Sequence, residues 1–182
     1  MIGVLVSGRG TNLQALLDAG LPVVAVASNV ARAGALERAE RAGVANAVFE
    51  LDDYASREER DLALADWLGE HGVELVVCAG YMHLLTPAFL RRYPAVNVHP
   101  SLLPAFPGTT PLEDALAAGA GETGVTVHFV DEGVDTGPVI AQEAVPILPG
   151  DTPETLRERV HEVEHRLLPD CVRRYLAGAL RS

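Results

Sequence analysis

The chain has 182 residues, 48% of them hydrophobic and 21% charged, a composition that suits one globular domain with a full core. Fourteen basic against 25 acidic side chains leave a net charge of −11. That balance argues against a broad nucleic-acid surface, which needs clustered lysine and arginine, so an anionic substrate would have to be met by a local device such as a helix N-terminus. The two cysteines, Cys78 and Cys171, make no disulfide framework. No apolar run approaches about 18 residues, and no basic segment precedes the short one at the start, so neither a membrane span nor a signal peptide is expected. A reduced, cytoplasmic setting is the simple expectation.

Residues 2–6, IGVLV, form a β-branched apolar run that ends at Ser7-Gly8 and reads as a buried strand. Helical spacing follows over 12–20 and stops at glycine. Residues 21–28 read as a second strand, 31–43 as an alanine-rich helix and 46–50 as a third strand. Helix 56–72 opens with Ser56 three residues before Glu59, a capping-box signature. Residues 73–80 read as a fourth buried strand. This alternation predicts βαβ units: an α/β, Rossmann-like doubly wound, mostly parallel sheet, with ligands beyond the carboxyl ends of its strands.

The second half differs. Residues 94–108 carry Pro94, Pro100, Pro104 and Pro107, which excludes regular helix or central strand throughout. A short strand ending at His99 and a helix over 111–119 are expected. Residues 124–133 and 138–147 read as antiparallel partners, and 151–178 as a long helical stretch interrupted by Pro169. One domain over 1–182 is expected, with halves of about 1–93 and 94–182.

Asn97 and His99 are two apart on a strand, so both project from one face, and Pro100 ends that strand. An amide donor beside an imidazole is what acyl transfer to an amine needs: the amide stabilises an oxyanion, and the imidazole stabilises charge or moves protons. Asn-x-His alone reads first as a capped strand end with a satisfied histidine. Asp135, in the turn DEGVDTGP, could orient His99, although an aspartate in a glycine-rich turn is commonly just a turn residue. SGRGTN, 7–12, places two glycines and small polar residues at a strand-to-helix turn. It lacks both the G-x-G-x-x-G and P-loop fingerprints, so a monophosphate fits it better than a dinucleotide. His161-Glu162-Val163-Glu164-His165 matches the short helical zinc-protease patterns, but an acidic, Arg/Glu-rich helix accounts for it as a solvated face. No metal is expected.

Three blocks in this order, SGRGTNLQAL, AGYMHLLTPAFL into NVHPSLLPAFPG, and GVTVHFVDEGVDTGPVIAQ, resemble the phosphoribosylglycinamide formyltransferases, the folate-dependent transformylases of purine synthesis. The resemblance spans essentially the whole chain. It implies 10-formyltetrahydrofolate as formyl donor and glycinamide ribonucleotide as acceptor, both small molecules, on a monomer or homodimer. It further implies catalytic roles for Asn97, His99 and Asp135, and phosphate binding by Gly10, Thr11 and Asn12. Glu164 matches an acid at the substrate's ribose region. Met82, His83, Leu84 and Leu85, with Asp131, Glu132, Gly133 and Val134, match a pterin pocket, and Arg57 a basic position near the folate or the substrate. The Leu103-Pro104 bond is expected to be cis, as in the family. His83 stands where many members carry arginine, and Thr109-Thr110-Pro111 where some carry histidine or lysine. Two other activities share parts of this pattern: formyl transfer to a sugar-nucleotide amine, and hydrolysis of the folate donor.

Overall fold

A computed structural model describes residues 1–180; Arg181 and Ser182, where the expected domain ends, lie outside the described residues. The chain forms two compact units, Met1–Asn97 and a second that begins at Val98.

In the first unit the strands are β1 (Ile2–Val6), β2 (Val23–Ser28), β3 (Ala45–Val48), β4 (Leu75–Cys78) and β5 (Ala95–His99), whose last two residues open the second unit. All five run parallel in the order β3-β2-β1-β4-β5. Every residue of β1 and of β4 is buried, because both faces of a central parallel strand are covered by helices. The crossovers carry α1 (Thr11–Asp18), α2 (Gly34–Arg41) and α3 (Arg57–Glu70). At the start of α3 the Ser56 hydroxyl accepts from the Glu59 N–H at 3.1 Å, while the Glu59 carboxylate accepts from Ala55 N–H rather than from Ser56. The expected cap is present with its return bond displaced by one residue. A single turn, α4 (Pro87–Leu90), was not foreshadowed by any periodicity and packs on α3.

The second unit holds α5 (Pro111–Ala117), the antiparallel pair β6 (Glu122–Phe129) and β7 (Val139–Pro146), and α6 (Pro153–Leu176). Seven strands in all therefore make a mixed, mostly parallel sheet, as the alternation of elements implied. The expected break at Pro169 is absent: α6 runs through it for 24 residues. Pro169 removes one helical hydrogen bond, a cost of about 3 kcal/mol. Burial of Leu156, Val160, Leu168, Cys171 and Val172 along one face, packed on α5, β6 and β7, outweighs it.

Two glycines fix close approaches. Gly10 has φ 75°, and a Cβ there would lie 2.5 Å from the Ala35 Cβ on α2. Gly137 brings its backbone so near the Phe129 carbonyl that a Cβ would sit 1.8 Å from that oxygen. Gly10→Ala should therefore meet both a left-handed backbone and a clash, lowering stability by about 1–3 kcal/mol in urea titrations; an unchanged midpoint would refute the close approach.

Candidate active site

In the second unit, His99 is buried at the end of β5, two residues beyond half-buried Asn97 on the same strand face. Pro100 ends the strand and the chain turns through a loop that β6 and β7 clamp from below. Thr126 Oγ1 donates to the Ser101 carbonyl at 2.7 Å and accepts from Leu103 N–H at 3.1 Å. Gln142 Nε2 donates to the Leu103 carbonyl and to Thr126 Oγ1, each at 2.8 Å. The Leu103-Pro104 bond is cis. Phe106 is then held at φ 51°, a conformation that a bulky side chain seldom adopts. Its carbonyl faces His99 Nε2 at 2.9 Å.

The other ring nitrogen of His99, Nδ1, faces Asp135 Oδ2 at 3.4 Å. Both nitrogens thus face oxygen acceptors, an arrangement that the imidazolium satisfies with two N–H donors, whereas a neutral ring would set one lone pair against oxygen. Asp135 lies in the β6–β7 loop with φ 54°. Its Oδ2 also accepts from Gly108 N–H at 3.0 Å, and its Oδ1 lies 3.6 Å from Nε2 of His128 on β6. Burial alone would push the Asp135 carboxyl up; the nearby His128 ring, the Gly108 N–H and the charge of His99 outweigh it and hold the carboxyl below its ordinary range. Sequence reasoning missed His128. It stands inside an apolar strand, where a histidine is ordinarily a satisfied core residue, and only the strand pairing brings it to Asp135.

The loop before Asp135 is tied by Asp131, whose Oδ1 accepts from Gly133 N–H at 3.0 Å and from Thr136 Oγ1 at 2.7 Å. Glu132 and Val134 are exposed on this loop and Gly133 is half-buried. On α6, Glu164 is buried, with its carboxylate 3.8 Å from His161 Nε2, and the rings of His161 and His165 stack at 5.7 Å. The expected solvated face is therefore corrected at Glu164, while Glu162 is exposed. Leu156, Val160, Glu164 and Leu168 recur every four residues, and that spacing alone would have put Glu164 in the buried stripe.

In the first unit, Gly10 precedes Thr11 and Asn12 at the start of α1, and no side chain caps that helix. The loop is fastened from α2: Ala35 N–H donates to the Gly8 carbonyl, and Arg38 Nε to the Arg9 carbonyl at 2.8 Å. Ser7 Oγ donates to Asn29 Oδ1 at 2.5 Å and accepts from Met82 N–H at 2.9 Å, linking the ends of β1 and β2 to the segment after β4. Along that segment Met82 is 64% and Leu84 46% exposed, His83 is half-buried and Leu85 is packed inward. Arg57 is exposed at the first position of α3. Burial, reinforced by the charge of Asp61, pushes the Cys78 thiol up to about 12, so it is no nucleophile.

The sequence matches the formyl transferase family over residues 1–172. It is 42% identical to the phosphoribosylglycinamide formyltransferase of Haemophilus influenzae, over 99% of this chain and 89% of that protein. A solved glycinamide ribonucleotide transformylase 1 from Symbiobacterium toebii superposes with a TM-score of 0.97 at 48% identity, covering 100% of this chain and 89% of that one. The trifunctional purine biosynthetic protein adenosine-3 of Chironomus tentans is 47% identical over 99% of this chain, which spans only 14% of that longer protein. By the extent of these matches, the chain belongs to the formyl transferase family.

Proposed function

We propose that the protein transfers the formyl group of 10-formyltetrahydrofolate to the amine of glycinamide ribonucleotide in purine synthesis, as a monomer or homodimer in the cytoplasm. The relatives that match it along their own length are named for that activity. The observation that carries the chemistry is the carboxylate of Asp135 set between two histidines, one of them two residues from Asn97.

In this reading the amine nitrogen attacks the formyl carbon and the carbonyl electron pair moves onto oxygen. The Asn97 amide donates to that oxyanion. Of the two acceptors facing His99, Asp135 is the farther, so the Nδ1–H is the donor that a developing oxyanion can take over, while Phe106 keeps the ring in place. Asp135 remains ionised and accompanies the proton that must leave the attacking amine as the carbonyl reforms and the folate nitrogen departs with a proton. No step calls on a metal. Met82 and Leu84, both open to solvent on the segment after β4, suit contact with an aromatic ring system. Gly10, Thr11 and Asn12, at an uncapped helix start, suit the phosphate of the acceptor, and Glu164 its ribose. Arg57 and the segment 131–134 complete the folate contacts in this assignment.

Absorbance-monitored turnover of 10-formyltetrahydrofolate, with and without glycinamide ribonucleotide, tests the reading. Turnover only with the acceptor is expected. Turnover without it would mean a hydrolase, and turnover only with a sugar-nucleotide amine would name a different acceptor. Asn97→Ala should lower kcat by about 10²–10³ with KM little changed, the signature of a lost oxyanion donor; a rise in KM alone would remove Asn97 from the scheme.

Asp135→Asn should fold and lose activity. The same substitution bears on acid stability. Because the folded carboxyl titrates below its unfolded value, its contribution is present above the ordinary carboxylate range and is lost as pH falls through the depressed value. The wild type should therefore lose stability across that window more steeply than Asp135→Asn, and parallel acid limbs in urea titrations would contradict the assignment.

A further inference from the structure

Beside the segment after β4, α3 buries a charge. Arg60 is 0% exposed and its Nε donates to Asp61 Oδ1 at 2.7 Å. Asp61, equally buried, also accepts from Thr86 N–H through Oδ2 at 2.7 Å, which pins the far end of the same segment. The Tyr81 ring lies 5.9 Å from the Arg60 guanidinium. Arg60 Nη1 is 2.9 Å from His83 Nδ1, and Nη2 has no hydrogen-bond partner among the described residues.

A guanidinium is always protonated and can only donate. The Arg60–His83 contact is a hydrogen bond only if Nδ1 of His83 offers its lone pair. That fixes the tautomer: the hydrogen sits on Nε2. It also opposes a second proton, because protonation would set an N–H against Nη1. The charged or titratable groups that face the ring are Arg57, Arg60 and Asp61 on α3 and Tyr81 beside it. Burial and the two arginines depress the imidazole further, outweighing Asp61.

We propose that Arg60 is a positioning residue that holds His83 as a neutral Nε2–H donor, so that this segment offers the folate an uncharged hydrogen-bond donor. The proposal rests on the reading of residues 82–85 as a folate contact.

Two experiments on the intact protein separate this from the transferase reading. Long-range proton–nitrogen NMR of nitrogen-15-labelled protein reports the His83 tautomer without any turnover. A pyridine-type Nδ1 and a pyrrole-type Nε2 are expected at neutral pH, with protonation displaced below the ordinary histidine range. An Nδ1–H form, or an ordinary histidine titration, would overturn the proposal. For the ligand, His83→Gln places an amide donor near the Nε2 position, whereas His83→Met removes the donor and keeps bulk. KM for 10-formyltetrahydrofolate should rise on the order of tenfold in the second variant and by less in the first. Equal KM values in wild type and both variants would end the proposal while leaving the transferase intact.

Discussion

The contact on which the second unit turns is the carboxylate of Asp135. One oxygen takes the Gly108 N–H and faces His99, and the other faces His128. An aspartate so placed is desolvated and yet must remain charged, which is tolerable only because donors surround it. Everything nearby serves that arrangement. The β6–β7 pairing presents His128, the left-handed backbone at 135 turns the carboxylate inward, and Gly137 lets the returning chain press against the Phe129 carbonyl. The Phe106 carbonyl on the far side of His99 completes a row in which each group limits the freedom of the next.

The first unit works by different means. Its parallel sheet supplies strand ends and helix starts, and the chemistry there is mostly main-chain. Gly10 is required by Ala35 on α2 as much as by any ligand. Ser7 is occupied in joining three strand ends, and Arg38 in holding the loop from outside. These contacts hold the loop before α1 in one conformation.

Much of this was legible in the residues. Buried parallel strands announce themselves as continuous apolar runs, and β1 was read with its observed limits because a glycine and a serine punctuate it. The antiparallel pair was legible because its alternation is bounded by turn residues. Three things were not. His128 occupies an apolar strand, and nothing local distinguishes a histidine that faces Asp135 from a core histidine. Glu164 sits among histidines and acids that resemble a solvated face, and only the four-residue spacing of its apolar companions gives it away. Pro169 reads as a stop, yet the tertiary burial of one helix face overrides a local breaker. For His128 and Pro169 the deciding term is long-range packing, which leaves no imprint on neighbouring letters. Asn97 and His99 were paired by their spacing on a strand, whereas Asp135 was joined to them by the company of its motif, 36 positions beyond His99.

The acceptor that steadies His99 is a peptide carbonyl, that of Phe106. No change of side chain at 106 can delete a main-chain atom, so this part of the site is insulated from drift at its own position. Its vulnerability is moved elsewhere, to Thr126 and Gln142, which hold the loop from β6 and β7. Tolerance to substitution should therefore be inverted relative to proximity: permissive at the residue that touches the imidazole, and strict at two positions that never do.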